Sequence, residues 1–195
     1  MSDCISVGTN DILVTDVLWW TNETLNIWSH IAGFLVFLGL FVYDVTVVYH
    51  EYLGTEGDAV VASFVLICFM LCMLLSSLYH TLNSISEESC MKWLAYDVFG
   101  ISASFLAIFL SGIYYAFWCP EVFLPRIIMM YIISGSAAFV YVFKIPERYF
   151  PGRFDYIGAS HQLWHLIIVV ALVYWHQTGL EYAKFRLTFG CNFEY

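Results

Sequence analysis

Charged residues are scarce in this sequence, and basic residues are the scarcest of all. Only 12% of its 195 residues are Asp, Glu, Lys or Arg, and seven basic residues against sixteen acidic ones give a formal net charge of −9 at pH 7. A nucleic-acid-binding protein needs clustered Lys and Arg to neutralise phosphates, so that class is excluded. A polybasic surface that recruits anionic lipid is excluded for the same reason.

Apolar residues take the place of the missing charges. They make up 61% of the chain, with aromatic residues at 19%, and the mean hydropathy is +0.76. A soluble domain is roughly 45–50% apolar and about 25% charged, so a soluble fold of this chain would have no polar exterior. The composition therefore predicts an all-α fold, a polytopic transmembrane helix bundle.

The sequence also lacks the cysteine patterns of a disulfide framework or a thiolate metal site. Its six cysteines form no Cys-x-x-Cys pair, and Cys68 and Cys72 lie inside an apolar run. We therefore expect the cysteines to be buried, reduced packing residues. The N-terminus lacks the basic region of a cleavable signal peptide, so we expect the first apolar helix to act as a signal anchor.

Five hydrophobic segments are long enough to cross about 30 Å of hydrocarbon at a rise of about 1.5 Å per residue. They cover approximately residues 27–49, 59–82, 93–118, 124–143 and 158–175. We divide the chain into a short N-terminal segment (1–20), a transmembrane helical domain (21–176) and a C-terminal tail (177–195). With five crossings, four basic residues lie on the side of the N-terminus and three on the other side. The positive-inside rule therefore favours a cytosolic N-terminus.

The polar residues embedded in these apolar segments lie at matching depths. Five alternating crossings bring the start of the first helix, the end of the second, and the starts of the third and fifth to one membrane face. The embedded polar residues occur at those ends: Glu23, Asn26, His30, Ser76, His80, Asp97, His161 and His165. We therefore expect one polar layer just inside the N-terminal face. Ionisable residues inside a membrane are by default candidates for a functional site.

Three histidines of this layer are candidate zinc ligands. His161 and His165 are four residues apart and so point from the same face of a helix, and His80 lies at a matching depth. Three imidazoles with an open fourth position are the pattern of a catalytic zinc site, and the absence of thiolates argues against a closed structural site. The alternative is that these histidines form hydrogen bonds across helices.

Two further residues are candidate catalytic groups. Asp97 lies four residues into the predicted third helix, where its carboxylate could position or deprotonate a zinc-bound water. Alternatively, Asp97 is a helix-start carboxylate stabilised by the helix dipole. Ser76 lies one turn before His80 and could donate a hydrogen bond to a substrate carbonyl or oxyanion, or could be a small residue that allows close helix packing.

Other polar residues are left outside the ligand set. Glu23, Asn26 and His30 begin the first helix with spacings of three and four residues. They could form a hydrogen-bonded network beside the site or cap the helix, and we do not assign them to the metal. His50 and His176 lie towards the opposite face, where we expect them to be interfacial.

The motifs that carry these residues resemble those of the progestin and adipoQ receptor family. They occur in family order over about residues 19–189 and comprise Glu23-Thr24-Leu25-Asn26-Ile27-Trp28-Ser29-His30, Ser76-Ser77-Leu78-Tyr79-His80, Asp97, Pro146-Glu147-Arg148-Tyr149-Phe150-Pro151-Gly152 and Ser160-His161-Gln162-Leu163-Trp164-His165. The resemblance implies seven transmembrane helices and a cytosolic N-terminus. It also implies one zinc ion bound by His80, His161 and His165, with Asp97 holding the metal-bound water.

The resemblance implies two functions of different class. Residues 43–46, 111–119 and 157–162 resemble a branch of the family that resides in the Golgi and tethers Raf kinase. Our main hypothesis is therefore a receptor-like protein of the Golgi membrane, or alternatively the plasma membrane, that restrains Raf and mitogen-activated signalling. Adiponectin-receptor relatives are associated with ceramide hydrolysis, so the alternative is a zinc-dependent lipid amide hydrolase with a ceramide-like ligand. Both functions imply contact with membrane lipid.

The sequence departs from the family pattern at two places. After Cys119 the chain passes directly to Phe123-Leu124-Pro125, which resembles the start of the family's sixth helix. We therefore expect the family's fourth and fifth helices to be missing, and its long soluble N-terminal region to be shortened to the segment 1–20. Removing two spans preserves parity, so the polar motifs still share one face. It would also open the bundle around the site.

Overall fold

The structure is a computed structural model that describes residues 23–49, 56–116, 120–154 and 157–189. Within these ranges the chain is mainly helical and has no strand. The elements are α1 (Thr24–Tyr43), which continues into a π-helical turn (Asp44–Val48), α2 (Glu56–Leu82), α3 (Glu87–Ala116), α4 (Pro120–Phe143) and α5 (Ser160–Phe189). All five helices are long and apolar enough to cross a membrane. The predicted all-α transmembrane bundle with five spans is confirmed.

Two helices extend furthest beyond their predicted ends. α3 begins at Glu87 rather than near Trp93, because Ser86 caps it by accepting the Ser89 N–H at 3.1 Å. α5 continues to Phe189, well beyond Trp175. Its polar residue Thr178 is fully buried, so the polar stretch after Trp175 does not mark the end of the helix. Residues 177–189, which we expected in the tail, are helical.

The helices form an incomplete ring. α2 packs against α1 and α3, and α5 packs against α4 and α1, but α3 and α4 make few contacts with each other. The shared core contains Phe37, Leu66, Phe69 and Met73. α4 is the least buried of the five spans. The seam between α3 and α4 is also the place, in chain order, where the family resemblance puts the two missing helices.

Close contact between α2 and α3 depends on small residues. A Cβ atom added at Gly100 would lie 3.0 Å from the Cα atom of Cys72, so only glycine fits there without a shift of the backbone. One turn later, the Ser104 hydroxyl donates to the Cys68 carbonyl oxygen at 3.2 Å. Small residues and hydrogen-bonding hydroxyls are the usual means by which transmembrane helices approach closely. This contact fixes α3, which carries Asp97, against α2, which carries His80.

The cysteines do not all follow the prediction. Cys68 and Cys72 are free and buried, as expected. Cys90 is disulfide-bonded, so the prediction that every cysteine is reduced is wrong. Its partner lies outside the described residues. Cys90 is buried, as expected, but it lies in the first turn of α3 among polar sequence neighbours rather than inside an apolar run.

A buried pair joins α1 to α5 at the end of the bundle away from the predicted polar layer. Asp44 Oδ2 lies 2.7 Å from His176 Nε2, and the two residues are only 0% and 5% exposed. Asp44 Oδ1 and His176 Nδ1 have no hydrogen-bond partner among the described residues. The bond with Asp44 allows the imidazole of His176 to be buried, and the expected position of His176 at the membrane interface stays a prediction. His50 lies outside the described residues.

Removing one member of this pair should destabilise the fold more than removing both. Asp44→Leu or His176→Leu alone leaves a buried polar partner without its bond and should cost about 3–5 kcal/mol of unfolding free energy. The double variant leaves no unpaired group and should recover most of that loss. Thermal unfolding of the full chain in detergent measures the effect. Thr46→Val, at an exposed position of the same π-helical turn, is the control, and single variants as stable as the wild type would contradict the expectation.

Candidate metal centre

The three candidate ligand histidines meet at one end of the bundle. His80 lies in the last turn of α2, and His161 and His165 lie in the first two turns of α5. His161 Nε2 is 3.3 Å from His80 Nε2 and 3.0 Å from His165 Nε2. Ligand nitrogens of all three lie within 4.8 Å of one another.

These separations suit a single metal ion. Nitrogen atoms bound to one tetrahedral ion at about 2.0–2.1 Å lie about 3.3–3.4 Å apart. A neutral imidazole binds a metal ion through its unprotonated ring nitrogen. The triad could therefore hold a metal ion. Hydrogen bonds between the rings, the alternative interpretation, are also compatible with these distances.

Two of the three histidines make a further contact through their other ring nitrogen. His80 Nδ1 lies 2.7 Å from Glu23 Oε2, which also accepts a hydrogen bond from Asn26 Nδ2 at 2.9 Å. His165 Nδ1 contacts the ring of His30, with the two ring centroids 4.0 Å apart. Glu23 precedes α1 but makes no side-chain capping bond. Of the two roles considered for these residues, the structure favours the network beside the site.

The charge of Glu23 follows from these contacts. Glu23 lies just before the membrane-spanning part of α1. Burial raises the pKa of the Glu23 carboxyl, but hydrogen bonds from His80 and Asn26 outweigh burial and hold the pKa below its ordinary value. Glu23 is therefore a carboxylate at neutral pH and can only accept hydrogen bonds.

Asp97 and Ser76 line a cavity of about 230 Å³ beside the histidines, and His161 and His165 line it as well. The Ser76 hydroxyl lies beside the Asp97 carboxylate. Asp97 Oδ1 is buried and has no hydrogen-bond partner among the described residues. Because α3 begins at Glu87, Asp97 lies in the third turn of the helix rather than the first. The helix-start interpretation of Asp97 is wrong, since the helix dipole acts within the first turn.

The rest of the cavity is largely apolar. Phe105 and Ile108 of α3, Met130 of α4 and Leu172 of α5 line its wall away from the histidines. The cavity is bounded on two sides by α3 and α4, which make few contacts with each other. It therefore combines a polar end, at the histidines, with an apolar wall along the open seam of the bundle.

A residue that the sequence did not single out as functional fixes the start of α5. Glu147 Oε2 accepts the Ser160 N–H at 2.8 Å, and Glu147 Oε1 contacts the Ser160 hydroxyl. Burial raises the pKa of Glu147, but the hydrogen bonds from Ser160 hold it below its ordinary value. Thirteen residues separate the two partners, so no local spacing reveals the contact. In the sequence, the only indication that Glu147 matters was its place in the family motif Pro146-Glu147-Arg148-Tyr149-Phe150-Pro151-Gly152.

Glu147→Ala should loosen the start of α5 and lower the free energy of unfolding by about 1–2 kcal/mol, as for the loss of a helix cap. The pKa of Glu147 is lower in the fold, so its contribution is present above pH 4.5, the ordinary value, and disappears as the pH falls further. Thermal unfolding of both proteins across this pH range measures the difference. Arg148→Ala, at the exposed next residue, is the control. Equal unfolding temperatures for the two variants at neutral pH would contradict the capping role.

Comparisons with known proteins identify relatives of the chain. A family model described as "Haemolysin-III related" matches residues 18–137 and 121–176. The proteins named "Progestin and adipoQ receptor family member 3" of Mus musculus and Homo sapiens are each 33% identical over 238 residues, covering 88% of this chain and 76% of the relative. The "Adiponectin receptor protein" of Drosophila melanogaster is 25% identical over 234 residues, covering 86% of this chain and 52% of the relative.

The alignments with the mouse and human relatives are longer than the part of this chain that they match. The matched part is about 172 residues, 88% of 195, whereas the alignments extend over 238. The relatives therefore carry about 66 additional residues inside the matched region. A transmembrane helix needs about 20 apolar residues, so this length is sufficient for two helices and their loops.

Proposed function

The chain belongs to the haemolysin-III-related family, which includes the progestin and adipoQ receptors, and we propose that it is a receptor-like membrane protein that binds zinc through His80, His161 and His165. The observation that carries the proposal is the convergence of three imidazole nitrogens at the end of the bundle. Imidazole is a preferred zinc ligand, and within the described ranges no cysteine belongs to the cluster. Three ligands leave the fourth position open, as in catalytic zinc sites.

For the chemistry of this site we favour hydrolysis of a lipid amide such as a ceramide. Bound zinc would supply Lewis-acid polarisation of the amide carbonyl and of water. Asp97 Oδ1, which is buried and has no hydrogen-bond partner in the part of the chain that the structure describes, is available to accept a proton from water in the cavity. The Ser76 hydroxyl can donate a hydrogen bond to the carbonyl oxygen. The apolar wall suits an acyl chain and limits the access of bulk water.

The second candidate function is a membrane anchor, in the Golgi or alternatively the plasma membrane, that holds a Raf-type kinase. The resemblance of residues 43–46, 111–119 and 157–162 to the kinase-tethering branch of the family supports it. In this function the zinc is structural, because it ties the end of α2 to the start of α5. Asp97 and Ser76 then have no chemical role, and the kinase binds the cytosolic face of the bundle.

Metal analysis tests the zinc site directly. Purified full-length protein should contain about one zinc ion per chain, as expected for a single three-histidine site. His80→Ala and the double variant His161→Ala/His165→Ala should lose it, because two or fewer ligands do not retain zinc. The double variant Asp44→Leu/His176→Leu removes a buried imidazole at the opposite end of the bundle without leaving its partner unpaired, and should keep the metal. Elemental analysis of the folded, monodisperse fraction gives the ratio. Zinc absent from the wild type, or unchanged in the double variant, would contradict the proposal.

Asp97→Asn separates the two candidate functions. If the site hydrolyses lipid amides, the variant should cleave a fluorescent ceramide about 10²- to 10⁴-fold more slowly, because the proton acceptor is lost, while its zinc content is unchanged. Ser76→Ala should also be slower, whereas Ser77→Ala, which alters the adjacent serine that donates to the Leu74 carbonyl, should not. If the protein is an anchor, wild type and Asp97→Asn should recruit a co-expressed Raf-type kinase to membranes equally, and neither should cleave the lipid.

A further inference from the structure

We propose that Glu23 and His30 are positioning residues that orient two of the zinc ligands and strengthen metal binding. This inference rests on the proposed zinc site and adds to it a role for the start of α1. Neither residue belongs to the converging set of ligand nitrogens. Each instead contacts the ring nitrogen of a ligand histidine that points away from that set.

The contact of Glu23 selects the tautomer of His80 that can bind metal. His80 Nε2 lies 3.3 Å from His161 Nε2, on the side where the ligand nitrogens converge, and Nδ1 lies 2.7 Å from Glu23 Oε2. A carboxylate accepts hydrogen bonds and does not donate them, so it holds the proton of His80 on Nδ1. The lone pair is then on Nε2, facing the metal position. A carboxylate behind a ligand imidazole also raises its basicity.

His30 performs the same task for His165 without a full charge. His165 Nε2 lies 3.0 Å from His161 Nε2, and Nδ1 contacts His30 Nε2. For His165 to bind metal through Nε2, its proton must be on Nδ1, where His30 accepts it. His30 and His165 are only 4% and 3% exposed. Water therefore cannot readily replace the contact.

Both positioning residues are held in place at the start of α1, Glu23 directly before the helix and His30 within it. Glu23, Asn26 and His30 follow one another at spacings of three and four residues and so share one face of the helix. Asn26 Nδ2 donates to Glu23 Oε2 at 2.9 Å, which fixes the carboxylate. Through these contacts α1 touches the ligand of α2 and the second ligand of α5. It thereby sets the distance between the two helices that supply the metal site.

The geometry argues against Glu23 or His30 as additional ligands. The nitrogen of His30 that approaches the site meets His165 Nδ1, which lies on the far side of the ring from the converging Nε2 atoms. Glu23 Oε2 is already engaged by His80 Nδ1 and Asn26. A metal ion bound by His80 through Nε2 therefore has an imidazole ring between it and Glu23.

Zinc affinity, measured by competition with a chelating dye on the purified full chain, tests the inference. Glu23→Ala and His30→Ala should each weaken zinc binding by about 10- to 100-fold, the usual cost of losing an orienting partner. Glu23→Gln and His30→Gln should lose less, because the amide oxygen can still accept the hydrogen bond. Glu87→Ala removes an exposed carboxylate at the start of α3, and the double variant Asp44→Leu/His176→Leu removes a distant buried imidazole without leaving its partner unpaired. Both controls should keep wild-type affinity.

A spectroscopic measurement separates positioning from general stabilisation. With Co²⁺ in place of zinc, Glu23→Ala should retain the intense bands of a tetrahedral site but shift their energies, because the donor strength of His80 changes. Unchanged bands and unchanged zinc affinity in the folded fraction of Glu23→Ala and His30→Ala would overturn the inference and leave the zinc site standing, even if both variants unfold at lower temperature. A wild-type protein that binds no metal would overturn both.

Discussion

A polar side chain inside hydrocarbon must find its partner within the protein, and this constraint organises the bundle. At one end, imidazoles from α1, α2 and α5 meet one another and a carboxylate. At the other end, Asp44 and His176, which are 132 residues apart in the sequence, pair with each other. Apolar packing between Phe37, Phe69 and Met73 fills the space between. The two polar clusters therefore position the helices. Apolar contacts between helices contribute little to this positioning, because in a membrane the lipid tails are as apolar as the side chains that they would replace.

The sequence predicted those features of the structure that depend on residues close together in the chain. Apolar runs predicted five spans, and the parity of five crossings predicted that Ser76, His80, Asp97, His161 and His165 share one depth, which agrees with the structure. Partners distant in sequence left no such signal. The end of α5 was placed too early because nothing near His176 indicates Asp44 as its partner. Glu147 was missed because it contacts Ser160 across a loop. The start of α3 was placed too late because the capping residue, Ser86, lies inside a polar stretch.

The metal ligands and the cavity wall depend on different helices. The candidate ligands lie on α2 and α5. The residues that contact them from behind, Glu23 and His30, lie just before and on α1, which packs against both of these helices. The cavity is bounded by α3 and α4, which make few contacts with each other. The additional residues of the mouse and human relatives suffice for two helices, which the family resemblance places at this seam. The absence of these additional residues from this chain should therefore change which ligands the cavity can hold more than it changes the geometry of the three histidines.

The contacts at both ends of α1 have a consequence for the length of this helix. His30 meets His165 at one end and Asp44 meets His176 at the other, so the intervening stretches of α1 and α5 must stay in register. Each inserted or deleted residue would rotate one end of α1 by about 100° and shift it by about 1.5 Å, separating one pair. Substitutions on the lipid-facing side, at Leu35, Val36 or Val42, involve neither contact. The number of residues in this segment is therefore constrained by the two contacts, whereas the identity of its lipid-facing side chains is not.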